Sequence, residues 1–245
     1  MIWITGDTHG DWVYRLNKDS FPEQKEMTKS DYVIICGDFG IWNDSPAERW
    51  NLEWLEQRNF TTLFVDGNHS NFDMLDSYPV EKWHGGKVHF IRPSIIHLIR
   101  GQIFDINFKK IFAFGGASSH DISDGVLELD DPRLKAWRKD PNKMYRVNHI
   151  SWWEQEMPNE EEMAEGRENL ELAGNKVDFV VSHCTASSTQ ALLSGGGYEP
   201  DKLTNYLETI RCGIDYKRWF FGHYHINKSV TSKDICLFEQ IVRID

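Results

Sequence analysis

Five short apolar runs, each stopping at residues that can bind a metal, constrain this chain more than any other feature in it. Ile2-Trp3-Ile4 leads into Gly6-Asp7-Thr8-His9-Gly10, Tyr32-Val33-Ile34-Ile35-Cys36 into Gly37-Asp38, and Thr62-Leu63-Phe64-Val65 into Asp66-Gly67-Asn68-His69. Val177-Asp178-Phe179-Val180-Val181 leads into Ser182-His183, and Arg218-Trp219-Phe220-Phe221 into Gly222-His223-Tyr224-His225. Runs this apolar and this rich in β-branched and aromatic residues read as buried strands. Sites in α/β sheets lie beyond the carboxyl ends of strands, so strands set side by side would bring these residues to one edge. Singly each has a bland reading: Asp38 or Asn68 as a turn former, His183 as a hydrogen-bonded core residue, His223 and His225 as one face of a strand. Five matched strand ends together point to a shared metal site. Carboxylate, amide oxygen and imidazole without thiolate suit a hard to borderline divalent ion such as Mn²⁺, Fe²⁺, Zn²⁺ or Co²⁺.

The segments between the runs predict the architecture. Strand, polar loop, helix and strand follow one another through residue 69, which argues for an α/β class with a parallel component. Ser20-Phe21-Pro22-Glu23 has capping-box spacing and predicts a short helix through Lys29. Ser45-Pro46-Ala47-Glu48 repeats the signature, with Trp50, Trp54 and Leu55 at helical spacing. Residues 80–116 change texture to short strands separated by turn residues, read as hairpins or a meander. Asn159 and Glu162 have N-cap spacing and Gly174 can sit just past the end, predicting a helix over 159–173. A further helix is expected over 203–212 and closing β structure over 235–244. Residues 115–158 are polar, carry Asp-Pro pairs at 131 and 140, and show no sustained period, so they read as a long, partly irregular excursion. No repeat or low-complexity linker divides the 245 residues, and the expectation is one domain over 1–245.

A formal net charge of -11 counts against a nucleic-acid backbone or an anionic membrane as the main partner. Cys36, Cys184, Cys212 and Cys236 are far apart, which suggests neither a disulfide framework nor a cysteine zinc site. No basic segment followed by an apolar core opens the chain, and no run has the length to span a bilayer. The expectation is a soluble, cytoplasmic protein with reduced thiols.

In order and type, GDTHG at 6–10, GD at 37–38, GNH at 67–69, the histidine at 183 and GHYH at 222–225 resemble the calcineurin-like metallophosphoesterases. The resemblance spans residues 6–225 and implies a four-layer αββα sandwich, two mixed sheets flanked by helices, with a dinuclear centre at the strand ends. It implies that Asp7, His9 and His225 bind one metal, that Asn68, His183 and His223 bind the other, and that Asp38 bridges them. His69 would lie beside the phosphoryl group and protonate the leaving oxygen or stabilise charge on it. Two divalent ions would bring four positive charges against the two negative ones of Asp7 and Asp38, leaving a locally positive pocket on an acidic protein. They would also lower the pKa of a bridging water, whose hydroxide could attack phosphorus in line. Mn²⁺ is the first choice of metal, with Fe²⁺, Zn²⁺, Co²⁺ or Mg²⁺ as alternatives.

The protein-phosphatase branch carries GDxxDRG, whereas here Ile41 stands for the second Asp and Trp42 for the phosphate-binding Arg. That departure argues against a Ser/Thr protein phosphatase and leaves Asp66 or Asp44 as candidates to orient His69. Gly115-Gly116-Ala117-Ser118-Ser119-His120-Asp121, followed by Ser151-Trp152-Trp153-Glu154, is similar to bacterial and phage-type metallophosphoesterases of uncharacterised substrate. The 115–158 excursion is therefore expected to cap the site, with His120, Asp121, Arg146 and Trp152 as substrate contacts; alternatively its tryptophans dock and Ser151-Glu154 caps a helix. The leading expectation is a phosphoesterase acting on a small mono- or diester such as a nucleotide. A metal-dependent nuclease and a non-catalytic scaffold on the same fold are the competing readings.

Overall fold

The strand Tyr32–Ile35 shows how the chain is layered. All four residues are buried, yet Tyr32 and Ile34 join one apolar cluster while Val33 and Ile35 join another. Side chains alternate across a strand, so a continuous apolar run means that both faces are covered.

The computed structural model describes residues 1–245. In chain order come β1 (Ile2–Thr5), α1 (Trp12–Arg15), β2 (Tyr32–Ile35), α2 (Pro46–Glu56), β3 (Thr61–Phe64) and α3 (Phe72–Leu75). Five strands follow: β4 (Val80–Trp83), β5 (Gly86–Arg92), β6 (Ile95–Leu98), β7 (Gln102–Ile106) and β8 (Lys109–Phe114). The excursion holds β9 (Gly125–Leu127), α4 (Leu134–Trp137) and β10 (Tyr145–Val147). Then come α5 (Glu160–Leu172), β11 (Phe179–Ser182), α6 (Ser187–Ser194), α7 (Lys202–Gly213) and β12 (Arg218–Phe221). Three short strands close the chain: β13 (Lys228–Ser229), β14 (Asp234–Cys236) and β15 (Ile241–Arg243).

Seven strands form one sheet in the order β15-β1-β2-β3-β6-β5-β4, and six form another in the order β13-β14-β12-β11-β8-β7. Each sheet has a parallel centre, β1-β2-β3-β6 or β14-β12-β11-β8, with antiparallel strands at its edges. The sheets face each other across a cluster that mixes Ile4, Ile34 and Leu63 with Phe104, Ile111 and Val181. Leu52, Leu55 and Phe72 from α2 and α3 cover the outer face of the first sheet; Met163 and Leu170 of α5 with Leu203 and Leu207 of α7 cover the second. These are the four expected αββα layers. Burying each large aliphatic side chain contributes about 1.5–3 kcal/mol, so a face pattern repeated over this many strands fixes the register. No helix is long and apolar enough to cross a membrane.

Some expectations hold and others need correction. Of the five strands that end in candidate ligands, β1, β2 and β3 lie in one sheet and β11 and β12 in the other, in keeping with the two-sheet expectation. The 80–116 region forms the expected hairpins, divided between the sheets rather than joined in one meander. β4, β5 and β6 complete the first sheet, whereas β7 and β8 begin the second. Ser20 caps nothing: the segment is a 3-10 helix, Pro22–Glu26, preceded by Phe21 without a side-chain cap. Ser45 does cap α2, accepting the Glu48 N–H at 3.2 Å, but the Glu48 carboxylate turns outward to hold the N–H groups of Trp42, Asn43 and Asp44. Asn159 and Glu162 form the reciprocal capping box. Closing β structure is shared between the sheets, β14 joining one and β15 the other.

Candidate metal centre

β1 delivers Asp7, which is 1% exposed and accepts the His223 N–H at 2.9 Å (Oδ1) and 3.0 Å (Oδ2). β2 delivers Asp38, whose Oδ1 accepts the His69 N–H at 2.9 Å and whose carbonyl accepts the His9 N–H at 2.7 Å. Loops from different strands are thus stitched together by the carboxylates that end those strands. His9, Asp38, His223 and His225 all have positive φ, between +44° and +67°. Non-glycine residues there cost of order 1–3 kcal/mol each, and such strain collects at functional sites. Gly37 at φ +95° and Gly222 allow the approach: a Cβ on Gly37 would run into the His183 ring and one on Gly222 into the Asp7 carboxylate.

The side chains converge in two groups. His225 Nε2 lies 3.1 Å from Asp7 Oδ2 and 3.0 Å from His9 Nε2. His183 Nε2 lies 3.2 Å from Asn68 Oδ1 and 3.4 Å from Asp38 Oδ2, and Asp38 Oδ2 is also 4.0 Å from His9 Nδ1. Asp38 therefore stands between the two. Asp7, His9 and His225, and likewise Asp7, Asp38 and His183, place ligand atoms within 4.8 Å of one another, so distance alone puts Asp7 in both groups.

His183 shows that this set fits a cation. Its Nδ1 lies 2.8 Å from the carbonyl of Cys36, an acceptor only, so Nδ1 carries the ring proton. The Nε2 lone pair then faces two oxygen acceptors, and a positive charge between them relieves the repulsion. Burial opposes charge on His183, yet the adjoining Asp38 and Asp7 carboxylates raise its pKa to about 9, the same demand for positive charge in another form. Burial likewise opposes the Asp38 carboxylate, but His183, His69 and His9 hold it far below the usual carboxylate range. No lysine or arginine pairs with Asp7 or Asp38 through a side-chain contact within 4.0 Å. Two buried carboxylates surrounded by imidazoles are a divalent-metal donor set.

Asn68 is oriented by residues that sequence reasoning missed. Its Nδ2 donates to Ser119 Oγ at 3.4 Å, and Ser119 donates from Oγ (2.6 Å) and N (2.8 Å) to Glu156, which is 2% exposed. A carboxylate accepts only, so the hydroxyl donates to it, accepts from the amide nitrogen, and turns the amide oxygen toward His183. Burial pushes the Glu156 pKa up while the Ser119 bonds pull against it. Glu156 lies in the irregular excursion, and nothing local marks it as buried.

His69 is held at its backbone by Asp38 and by Trp42, whose Nε1 donates to the His69 carbonyl at 3.0 Å. Neither Asp66 nor Asp44 orients its ring, which corrects the sequence reading. Asp66 is fully engaged with Arg100 Nε at 2.9 Å and His97 Nε2 at 3.2 Å, and Asp44 pairs with Arg49. The group facing the ring is Arg146, Nη1 to Nδ1 at 3.5 Å. Burial first and then the Arg146 charge lower the His69 pKa, against the pull of Asp38. Arg146 is gripped by Asp121 through Nε (3.0 Å) and Nη2 (2.6 Å).

Asp38, Asn68, His69, His223 and His225 line a cavity of about 150 Å³ together with His120, Asp121 and Arg146 from the excursion. Trp152 lies elsewhere, in a neighbouring cleft with Phe72, His149 and Pro158. Trp153 docks against the first sheet and donates to Asp73 at 2.8 Å. Ser151 Oγ accepts the Val147 N–H and caps no helix.

The calcineurin-like phosphoesterase family matches residues 1–227, and the chain belongs to it. It is accordingly a metal-dependent phosphoesterase, a hydrolase of a dinuclear family. No curated protein matches the sequence. Among solved structures, a phosphopantetheinyl hydrolase from Mycobacterium tuberculosis is similar over 97% of this chain and 87% of its own, at 17% identity and TM-score 0.41.

Proposed function

We propose that the chain hydrolyses a small phosphate mono- or diester, with Asp7, His9 and His225 holding one divalent ion, Asn68, His183 and His223 the other, and Asp38 bridging. The His183 ring, its proton committed to Cys36 and its lone pair turned toward Asn68 and Asp38, carries this reading. Ions bound there supply neutralisation of the phosphoryl oxygens and a water acidified to a nucleophile near neutral pH. Oxygen and imidazole donors without thiolate favour Mn²⁺, with Fe²⁺, Zn²⁺, Co²⁺ or Mg²⁺ as alternatives.

His69 assists the leaving group. A guanidinium only donates, so Arg146 at Nδ1 leaves the ring proton on Nε2. Burial and the Arg146 charge lower the His69 pKa against the pull of Asp38, and His69 acts from Nε2, donating to the leaving oxygen. Arg146, aligned by Asp121 on the same cavity, supplies the substrate-facing positive charge that Trp42 does not. Residues 1–245 act as one domain and 115–158 as its cap, because ligands from both ends of the chain meet at Asp7 while the excursion closes the cavity. The small cavity and the net charge of -11 favour a small ester over a nucleic acid. Four free cysteines, three of them buried, suit a reducing cytoplasm.

The test is hydrolysis of an aryl phosphate mono- or diester stimulated by Mn²⁺ and abolished by EDTA. Lack of turnover on every phosphoester at full metal loading would sink the reading. Preference for an oligonucleotide over nucleotides and sugar phosphates would replace the small ester by a nuclease substrate.

A further inference from the structure

We propose that a cleft between the free edges of the two sheets, remote from the candidate metal ligands, binds a single-tailed anionic amphiphile from solution. The cleft has a volume of about 630 Å³, the size of a small-molecule site. Phe179 and Arg218, the opening residues of β11 and β12, pair in register and both line it, with residues of β13, β14 and β15 around them. His183 and His223 follow the far ends of β11 and β12, and the catalytic cavity shares no residue with this cleft.

The edges leave the core open here. β13, with two residues, and β15, with three, are the terminal strands of their sheets, and the cleft has residues of both on its lining. Phe179 and Phe220 belong to the cluster between the sheets, and Ile235, Val242 and Ile244 pack on it half-buried, so the inter-sheet core itself floors the cleft. The charged side chains on the lining are all cations: Lys217, Arg218 and Arg243, on a chain of net charge -11. Lys217 pairs with Asp178 at 2.6 Å and Arg243 with Asp245 at 3.0 Å, both carboxylates lying off the lining. Arg218 has no carboxylate partner, and its Nη1 donates to the Lys217 carbonyl at 3.2 Å. An apolar tail on that floor and an anionic head at Arg218 match both halves of the cleft, whereas a cationic head would meet three like charges.

Calorimetric titration of the full chain with decanoate, below its aggregation concentration, tests this. One site per chain is expected, tightening up to roughly 4-fold for each methylene added between octanoate and decanoate. Decyltrimethylammonium, with the same tail and the opposite charge, should bind at least about 10-fold more weakly. Arg218→Glu should weaken decanoate at least about 10-fold, and Ser229→Trp, which sets a large ring on an exposed lining position, should block it, both at parental melting temperature. EDTA should leave the affinity unchanged, because the candidate metal ligands follow the far strand ends. Absence of saturable decanoate binding, affinity indifferent to the head charge and to Arg218→Glu, binding lost with EDTA, or binding to anionic phospholipid vesicles alone would overturn the inference. So would a dimer that Arg218→Glu separates, which would make this face an interface between copies of the chain.

Discussion

The strand-end loops and the 115–158 excursion meet at one cavity but are held in opposite ways. The loops are tied through backbone N–H donors: that of His9 bonds to the Asp38 carbonyl, and those of His69 and His223 to the Asp38 and Asp7 carboxylates on neighbouring loops. The excursion is tied by side chains, Ser119 to Glu156, Arg146 to Asp121, Trp153 to Asp73, and Arg100 reaching the carbonyl of Gln155 at 2.7 Å. Backbone donors fixed at strand ends tolerate little drift, which suits the candidate metal ligands. Side-chain ties can be exchanged without disturbing either sheet, which suits the segment proposed as a cap.

The sharpest test of that division is Asp38→Ala, expected to abolish turnover because both groups of ligands lean on this carboxylate; residual activity under saturating Mn²⁺ would break the comparison. His69→Ala should lower kcat by roughly 10²–10⁴-fold on poor leaving groups and less on good ones, read from a series of aryl esters. Asp66→Asn probes the seam between the two regions, since Arg100 joins Asp66 to the excursion. Leaving Arg100 without its carboxylate should cost about 3–5 kcal/mol in denaturant unfolding at pH 7. Burial pushes the Asp66 pKa up, but Arg100 and His97 hold it well below the usual range. A carboxyl depressed on folding contributes stability above its unfolded pKa of about 3.9, lost as pH falls through the folded value. The gap between Asp66→Asn and parent should therefore be widest near neutrality and close only in strong acid. Glu156→Gln, which perturbs the relay to Asn68, should weaken binding of one ion about 10–100-fold and spare the other. Smallest is Trp50→Ala, 60% exposed on α2, expected within about ±0.5 kcal/mol of parent by thermal melting.

The same division explains what could be read in advance. Asp7, His9, Asp38, Asn68, His183, His223 and His225 each follow an apolar run, a local signal, and the structure brings them together. The Asn159 capping box is local too. The split of the five strands over two sheets is not, because an apolar run buried on both faces reads alike in either. Glu156 and Ser119 are 37 residues apart, and only folding brings the hydroxyl to the carboxylate. Ser20 had the right spacing but no helix to cap, since Pro22 opens a tight 3-10 turn instead.

The Asp7–His223 hydrogen bonds span 216 residues, and β15 pairs with β1 at the edge of the first sheet. During synthesis at about 5–20 residues per second, Asp7 leaves the ribosome roughly ten to forty seconds before its partners exist. For that interval the carboxylate has neither its hydrogen-bond donors nor its fellow ligands. The proposed metal site is thus one that can form only after residues 223–225 have emerged.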